Sequence, residues 1–197
     1  MGDPKKQRKK FETPRFRWRK DILQEELKLL GQYGLRNKHE LWRHKTYLSK
    51  VRGIARSLIS EAPERRAKME GELLARLKKL GILQETAVLD NVLDLTIEDI
   101  LERRLQTIVF RKSLTRTIFQ SRQLITHGHI SINGRRVTIP GYIVPKAEEA
   151  EITYSVTSAV SNQAHPLRVG LAVVAKEPEI RQPGRGRRGG GRGGGRF

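Results

Sequence analysis

The sequence predicts an α+β protein in which a helical N-terminal part precedes a small module of two helices packed on a short mixed or antiparallel sheet. Three observations lead to this prediction. Apolar residues recur at helical spacing through roughly the first 110 residues. An Asn133-Gly134 pair then lies between two short alternating runs, which is typical of a β-hairpin. Both ends are strongly basic and poor in apolar residues, so we expect them to be disordered.

Charge is concentrated at the two ends of the chain. The 197 residues contain 40 Lys and Arg against 21 Asp and Glu, a net charge of +19. Residues 1–20 carry a net +7, and residues 181–197 carry six Arg and no acid. Together with the apolar pattern, this divides the chain into a basic arm (1–20), a helical region (21–102), a small α/β module with its C-terminal extension (103–180, core 103–155) and a Gly/Arg-rich tail (181–197). A polyanion is the expected partner.

Several classes of function are excluded by composition. The chain has no Cys, which excludes a disulfide framework, a thiolate zinc site and a cysteine nucleophile. No apolar run reaches the roughly 18–20 residues that a membrane span needs, and no secretory signal is evident. We therefore expect a soluble, intracellular protein without membrane or small-molecule partners.

The two basic ends are candidate RNA-binding arms. The first ends in a run where cations alternate with aromatic side chains, Arg15-Phe16-Arg17-Trp18-Arg19-Lys20, which suits phosphates and unstacked bases together. The alternative is that Phe16 and Trp18 pack onto the body. The tail holds eight Gly and six Arg in 17 residues, and Arg supplies forked phosphate contacts and stacking planes. Its alternative role is a solubilising extension.

The helical region opens with a short amphipathic helix over residues 21–30 that stops at Gly31. Asn37 then caps a second helix that runs to Ser60, with Glu40 as its capping-box partner. One broad face of that helix is apolar and is expected to be buried: Leu41, His44, Tyr47, Leu48, Val51, Ala55, Leu58 and Ile59.

A ridge of three cations, Lys45, Arg52 and Arg56, lies beside that apolar face, with Trp42 close to it. No acid interrupts the ridge, so its charges do not neutralise one another within the helix. This favours an RNA-facing surface, and a solvated face is the alternative.

Two further helices complete the helical part. Pro63 opens a helix that runs to Leu80, and Gly81 ends it. Its core stripe consists of Leu73, Leu74, Leu77 and Leu80. Residues 82–95 mix apolar residues with Asp and Asn, which indicates an irregular connection. Thr96 then caps a helix that runs to about Phe110.

The back of the chain predicts a helix followed by a hairpin. Thr117 and Gln120 form a capping box, and the helix ends at His127 with Gly128 in the left-handed position. Its buried side holds Ile118, Leu124 and Ile125, and its exposed side holds Gln120, Gln123 and His127.

The Asn133-Gly134 turn pairs Ile132 with Arg135, Ser131 with Arg136 and Ile130 with Val137. Alternation then places Ile130, Ile132, Val137 and Ile139 on the core face and His129, Ser131, Arg136 and Thr138 on the open face. A further strand is predicted over Glu151–Val156, and a strand or short helix over Leu171–Ala175.

Two stretches resemble a known family: Leu95-Thr96-Ile97-Glu98-Asp99-Ile100-Leu101-Glu102-Arg103-Arg104-Leu105, and Arg122 through Asn133-Gly134. They look like the small-subunit ribosomal protein four family and its small RNA-binding module. The opening Gly2-Asp3-Pro4-Lys5 and the Glu40-Leu41-Trp42 helix are similar to its archaeal and eukaryotic branch. Bacterial members often have Thr-Arg where this chain has Thr117-Ile118, and here Arg116 carries the charge one residue upstream.

The resemblance implies a cytoplasmic protein of the small ribosomal subunit that binds rRNA directly, nucleates assembly of the subunit body and contributes to translational accuracy. It also implies contact with ribosomal protein five. The module's RNA-binding face would be formed by its helices and the adjoining hairpin. We carry that role over to ten residues: Arg103, Arg104, Arg116, Arg122, Gln123, His127, His129, Asn133, Arg135 and Arg136. An assembly or rRNA-processing factor using the same module is the alternative.

Catalysis and metal binding find little support in the sequence. His127 and His129 form a His-x-His pair, but one ends a helix and the other begins a strand, with no carboxylate close in sequence. A structural or RNA-contacting role is favoured for both. No nucleophile, base and orienting group can be assembled. We therefore expect no enzyme activity, no cofactor and no metal.

Overall fold

The computed structural model describes residues 9–169, apart from the side chain of Glu64. Seven helices occur in this part, in the order α1 (Lys20–Gln32), α2 (Lys38–Ile59), α3 (Pro63–Lys79), α4 (Leu89–Asp94), α5 (Ile97–Glu102), α6 (Leu105–Arg111) and α7 (Ile118–Thr126). Three strands follow them, β1 (Ile130–Ile132), β2 (Arg135–Arg136) and β3 (Ile152–Tyr154). The α+β prediction is confirmed. The predictions for residues 171–175 and for the Gly/Arg tail lie outside the described residues.

Helix α1 ends later than predicted. The expected stop at Gly31 is wrong, because the helix continues to Gln32 and the left-handed residue is Gly34, with a φ of +57°. The Leu35 N–H closes the end by donating to the Leu30 carbonyl at 3.0 Å. A Cβ at Gly34 would lie 2.8 Å from the Gln106 side chain. Glycine is therefore required here both by the backbone and by the close approach of α6.

Asn37 caps α2 as predicted, since its side chain accepts the Glu40 N–H at 3.1 Å. The reciprocal half of the predicted capping box is wrong, because the Glu40 carboxylate turns away to arginines of the module. The apolar face of α2 is buried except at Tyr47, which is half-buried, and at Ile59, which is exposed where the chain leaves the helix towards α3. The face prediction is thus corrected at its last residue.

Residues 82–95 are more regular than predicted, because α4 occupies 89–94. Leu89 and Val92 of α4 are buried and belong to the same apolar cluster as Val51 of α2. The Asp and Asn residues that suggested an irregular connection, Asp90, Asn91 and Asp94, lie on the exposed side. Burial of these two apolar side chains is enough to hold the short helix α4 against α2.

The helix predicted from Thr96 to Phe110 is divided into α5 and α6 at Arg103-Arg104. At the break the Arg103 and Arg104 N–H groups close the last turn of α5, while other backbone groups bond to a distant segment. The Leu105 N–H donates to the Tyr142 carbonyl at 2.7 Å, and the Val144 N–H donates to the Arg103 carbonyl at 3.0 Å. These long-range bonds satisfy the backbone groups that a continuous helix would have paired internally.

The hairpin forms with the predicted turn and register. Asn133 and Gly134 have φ values of +51° and +72°, and Ser131 faces Arg136 across the ladder. Strand β3 pairs antiparallel with the other edge of β1, so β1 is the central strand of an antiparallel sheet. Ile130 and Ile132 are buried in the module core, as predicted.

Two face assignments in the hairpin are wrong. Ile139 is 62% exposed because β2 ends at Arg136 and the chain leaves the sheet before residue 139. Ser131 is buried although it lies on the predicted open face. Its short side chain on the central strand is flanked by Arg136 and Thr153, its partners on β2 and β3.

Candidate RNA interface

The N-terminal arm is tied to α2 at one point. The Phe11 ring stacks on His39 with ring centroids 4.8 Å apart, and Trp42 lies next to both. The Glu12 N–H also donates to the Thr46 hydroxyl at 2.9 Å. The arm therefore leaves the body just after residue 12.

Beyond that anchor the aromatic side chains are exposed, Phe16 by 57% and Trp18 by 88%. The alternative that they pack onto the body is therefore wrong. The predicted cations of this run are exposed too: Arg15, Arg17, Arg19 and Lys20. Rings and cations are accessible together, which suits stacking on bases and pairing with phosphates.

One member of the ridge on α2, Lys45, pairs with an acid that α1 supplies. Glu26 of α1 is 2% exposed, and its carboxylate accepts Lys45 Nζ at 3.1 Å and Trp42 Nε1 at 2.9 Å. Lys38 lies 3.3 Å from its other oxygen. Burial alone would raise the pKa of Glu26, but these donors hold it below its ordinary value.

The other two ridge residues are also engaged. Arg52 is half-buried and donates to the Leu95 carbonyl, while Arg56 Nε donates to the Arg52 carbonyl at 3.3 Å. Arg56 is the one member of the three that is exposed. Lys45, Arg52 and Arg56 each have a partner within the protein, and an RNA contact at this ridge stays a prediction.

A partly buried ion-pair cluster joins α2 to the module. The Glu40 carboxylate accepts Arg104 Nη2 at 3.0 Å and Arg122 Nη2 at 2.6 Å. Arg104 is only 1% exposed, and its Nε and Nη1 atoms have no partner within the described residues. Arg122 Nη1 also lies 3.2 Å from Glu40 Oε2. The Glu40 carboxylate therefore links three distant parts of the chain by ion pairs: α2, the start of α6, and α7.

The electrostatics of this cluster shift two pKa values. Burial alone would raise the pKa of Glu40, but the hydrogen bonds and charges of Arg122 and Arg104 lower it to about 2. Burial, together with the charge of Arg104, lowers the pKa of His44 to about 4. At neutral pH the cluster therefore holds an ionised carboxylate next to a neutral imidazole.

Three arginines predicted to face RNA are instead used inside the protein. Arg103 donates to Glu149 Oε2 at 2.8 Å and to the Val144 carbonyl at 3.0 Å. Arg104 and Arg122 belong to the Glu40 cluster. The expectation that Arg103, Arg104 and Arg122 project towards RNA is corrected, because carboxylates 46, 64 and 82 residues away in the chain reach them.

The remaining predicted residues gather along one edge formed by the end of α7 and the hairpin. Five of them are exposed: Gln123, His127, Asn133, Arg135 and Arg136. None of these has an ion-pair partner within residues 9–169. His129 is half-buried, and its Nδ1 lies 2.8 Å from the Ser158 hydroxyl. Arg116, before α7, is exposed as well.

Gly128 brings the hairpin close to the end of α7. Its φ is +76°, and a Cβ there would lie 2.7 Å from Cδ of Arg136. The aliphatic part of Arg136 therefore crosses Gly128 directly, next to His127 and His129. This contact places a guanidinium beside two imidazoles on the same edge.

Sequence reasoning missed the two acids that organise these surfaces, Glu26 and Glu40. Glu40 was recognised only as a cap and Glu26 not at all. Their partners lie 12 to 82 residues away in the chain, so no local pattern signals the pairing. Within residues 9–169 no helix is long and apolar enough to cross a membrane, and no three His, Asp or Glu side chains form a metal-binding group.

Comparison with known proteins agrees with this architecture. The S4 domain family matches residues 103–149. Small ribosomal subunit protein uS4 of Saccharolobus solfataricus is 54% identical over 83% of this chain and 91% of its own length. The protein of the same name from Hyperthermus butylicus is 56% identical over 80% and 90%, and that from Thermoplasma acidophilum 46% over 94% and 95%.

These relatives are named as ribosomal proteins and not as enzymes, which confirms the prediction of a non-enzymatic protein. The matched S4 domain begins at the residue where the sequence predicts the module to begin. Identity of about one half over nearly the whole length of the relatives settles the family, so the chain belongs to the small ribosomal subunit protein uS4 family.

Proposed function

We propose that this protein is a structural constituent of the small ribosomal subunit in the cytoplasm and binds small-subunit rRNA directly. The observation that supports this most is the edge formed by the end of α7 and the hairpin. It presents exposed Arg135 and Arg136 beside His127, with no acid paired to them within residues 9–169. Such a surface attracts phosphates and offers imidazoles and guanidinium planes to unpaired bases.

The N-terminal arm adds a second surface of the same chemistry. Its exposed cations would release counterions from the RNA backbone, and Phe16 and Trp18 would stack on unpaired bases. The Glu40 cluster holds α2 against the module. The module therefore keeps a fixed relation to α2, the helix on which Phe11 and Glu12 anchor the arm.

The roles in subunit assembly and translational accuracy, and one protein partner, are inferred from the family to which the chain belongs. We propose that early binding of this protein to rRNA nucleates assembly of the subunit body and that the protein contributes to translational accuracy. We further propose ribosomal protein five as a neighbour. Crosslinking on intact subunits, with contact nucleotides and partner peptides identified, tests these assignments together.

The dependence of binding on salt tests the rRNA interaction itself. The affinity for a transcript of the small-subunit rRNA is measured between about 50 and 200 mM salt. Each neutralised phosphate contributes about 0.7–0.9 to the log–log slope, and we expect a slope worth at least about five contacts. A nearly flat response would contradict the proposal.

Sedimentation separates a structural protein from an assembly factor. A structural constituent remains with mature small subunits when they are washed in high salt. An assembly or rRNA-processing factor would instead be recovered only with precursor particles, and that result would replace the proposed role by the alternative.

A further inference from the structure

A cavity of about 300 Å³ opens at the end of α7, beside the edge proposed to bind RNA. Its apolar surface includes Leu124 and Val160, both of which are buried. A volume at the lower end of the roughly 300–1,000 Å³ typical of ligand pockets suits one small planar group. The lining continues into residues 159–167, which follow the sheet.

The polar lining consists of two amides and three imidazoles: Gln120, Gln123, His127, His129 and His165. None of the described residues that line the cavity is Lys, Arg, Asp or Glu. An amide offers a donor and an acceptor, and an imidazole offers an aromatic face and a ring nitrogen. This combination matches both the faces and the edge of a nucleobase. A phosphate alone would meet no cation among the described lining residues.

The hydrogen bonds around the cavity hold two of the imidazole rings in place. The Ser158 hydroxyl oxygen accepts the Val160 N–H at 3.1 Å and also lies 2.8 Å from His129 Nδ1. The Leu167 N–H donates to His165 Nδ1 at 3.3 Å. Because Nδ1 of His165 accepts this bond, its Nε2 carries a proton, and this assignment follows from the network. That N–H group is thus available for a base acceptor.

The position of Arg136 supplies the remaining part of a nucleotide site. Its aliphatic chain crosses Gly128, between the two residues whose rings line the cavity, His127 and His129. A base inserted into the cavity would leave its phosphate outside, within the range of this guanidinium. The cavity and the cation together match one unpaired nucleotide.

We propose that this cavity receives a single unpaired base of the rRNA, flipped out of its neighbours' stack. The proposal rests on the function proposed above and names one element of recognition within it. Gln120 and Gln123 read the edge of the base, the imidazoles contact its face and edge, and Arg136 pairs with its phosphate.

The test compares rRNA binding by the full chain and three variants. Gln123→Ala combined with His165→Ala removes one amide and one imidazole from the cavity. Ala159→Trp, at an exposed lining position, fills the cavity and leaves its polar groups in place. Gln32→Ala, at an exposed position at the end of α1, is the matched control. Thermal unfolding checks that all three fold.

Loss of one stacked base should weaken binding about 5- to 100-fold in both cavity variants. The slope against salt should fall by no more than the one phosphate contact of Arg136, because a base contact releases no counterion. Parent-like affinity in either folded cavity variant would overturn the proposal while leaving rRNA binding intact. A slope reduced by several phosphate contacts would overturn it as well, because more than one nucleotide would then have been lost. Failure of the parent chain to bind the transcript would instead refute the proposed function, and the cavity with it.

Discussion

Replacing Glu40 by Gln should destabilise the protein far more than a typical surface charge change. Glu40 is the one carboxylate that accepts from both Arg104 and Arg122 within the described residues. The amide keeps the shape of the side chain but removes the negative charge. Arg104, already with two unpartnered nitrogen atoms, would then carry a buried charge without compensation.

Two independent considerations give the same magnitude. Removing one partner of a buried ion pair costs about 3–5 kcal/mol, because the other charge stays buried. The pKa of Glu40, about 2 against an ordinary 4.5, corresponds to roughly 3 kcal/mol before solvent screening reduces it. We therefore expect the free energy of unfolding to fall by about 3 kcal/mol in Glu40→Gln.

The assay is urea unfolding at pH 7, followed by far-UV circular dichroism, with Glu85→Gln as the matched control. Glu85 pairs with Lys146, and both side chains are mostly exposed, so that change should cost no more than about 1 kcal/mol. The native pKa of Glu40 lies below its unfolded value, so its stabilisation is complete above about pH 4.5 and is lost as pH falls towards 2. Equal effects of the two substitutions would refute the assigned role of the cluster.

Three further predictions follow from the same contacts. The native pKa of His44, about 4 against an ordinary 6.5, should make stability fall by up to about 3 kcal/mol between pH 6.5 and pH 4, because the unfolded chain takes up the proton first. His44→Gln should flatten that part of the urea-midpoint profile, and an unchanged profile would contradict the assignment. Gly134→Val should cost about 1–3 kcal/mol through backbone strain alone, since a Cβ there meets no atom within 4 Å. Thermal unfolding measures it, with Gly53→Ala in the exposed middle of α2 as a helix control. Arg135→Ala with Arg136→Ala should keep near-parent stability but weaken rRNA binding and flatten its salt slope, whereas Arg122→Ala should destabilise the fold through Glu40. Similar stability losses in both would show that the hairpin arginines are structural.

Elements with a strong local signal could be predicted from the sequence. The Asn37 and Thr117 caps, the Asn133-Gly134 turn and the left-handed Gly128 all appear where the pattern places them. Each depends on backbone preferences and hydrogen bonds between residues within four positions of one another. The same locality explains why the hairpin register was predicted correctly.

Helix boundaries that depend on distant partners were predicted less well. The break between α5 and α6 exists because the segment 140–144 takes the backbone hydrogen bonds of residues 103–106. The short α4 exists because Leu89 and Val92 meet the apolar face of α2. Neither cause lies within the stretch of sequence from which the helix boundaries were predicted.

The sequence by itself determined the α+β class, the basic character and the exposed cations of the arm and hairpin, because composition and short-range periodicity encode them. Only the tertiary structure decided which cations are free. Glu26, Glu40 and Glu149 reach Lys45, Arg104, Arg122 and Arg103 across 19 to 82 residues and turn candidate RNA contacts into internal ion pairs. A buried guanidinium needs a carboxylate within about 3 Å, and the fold alone determines which carboxylate comes that close.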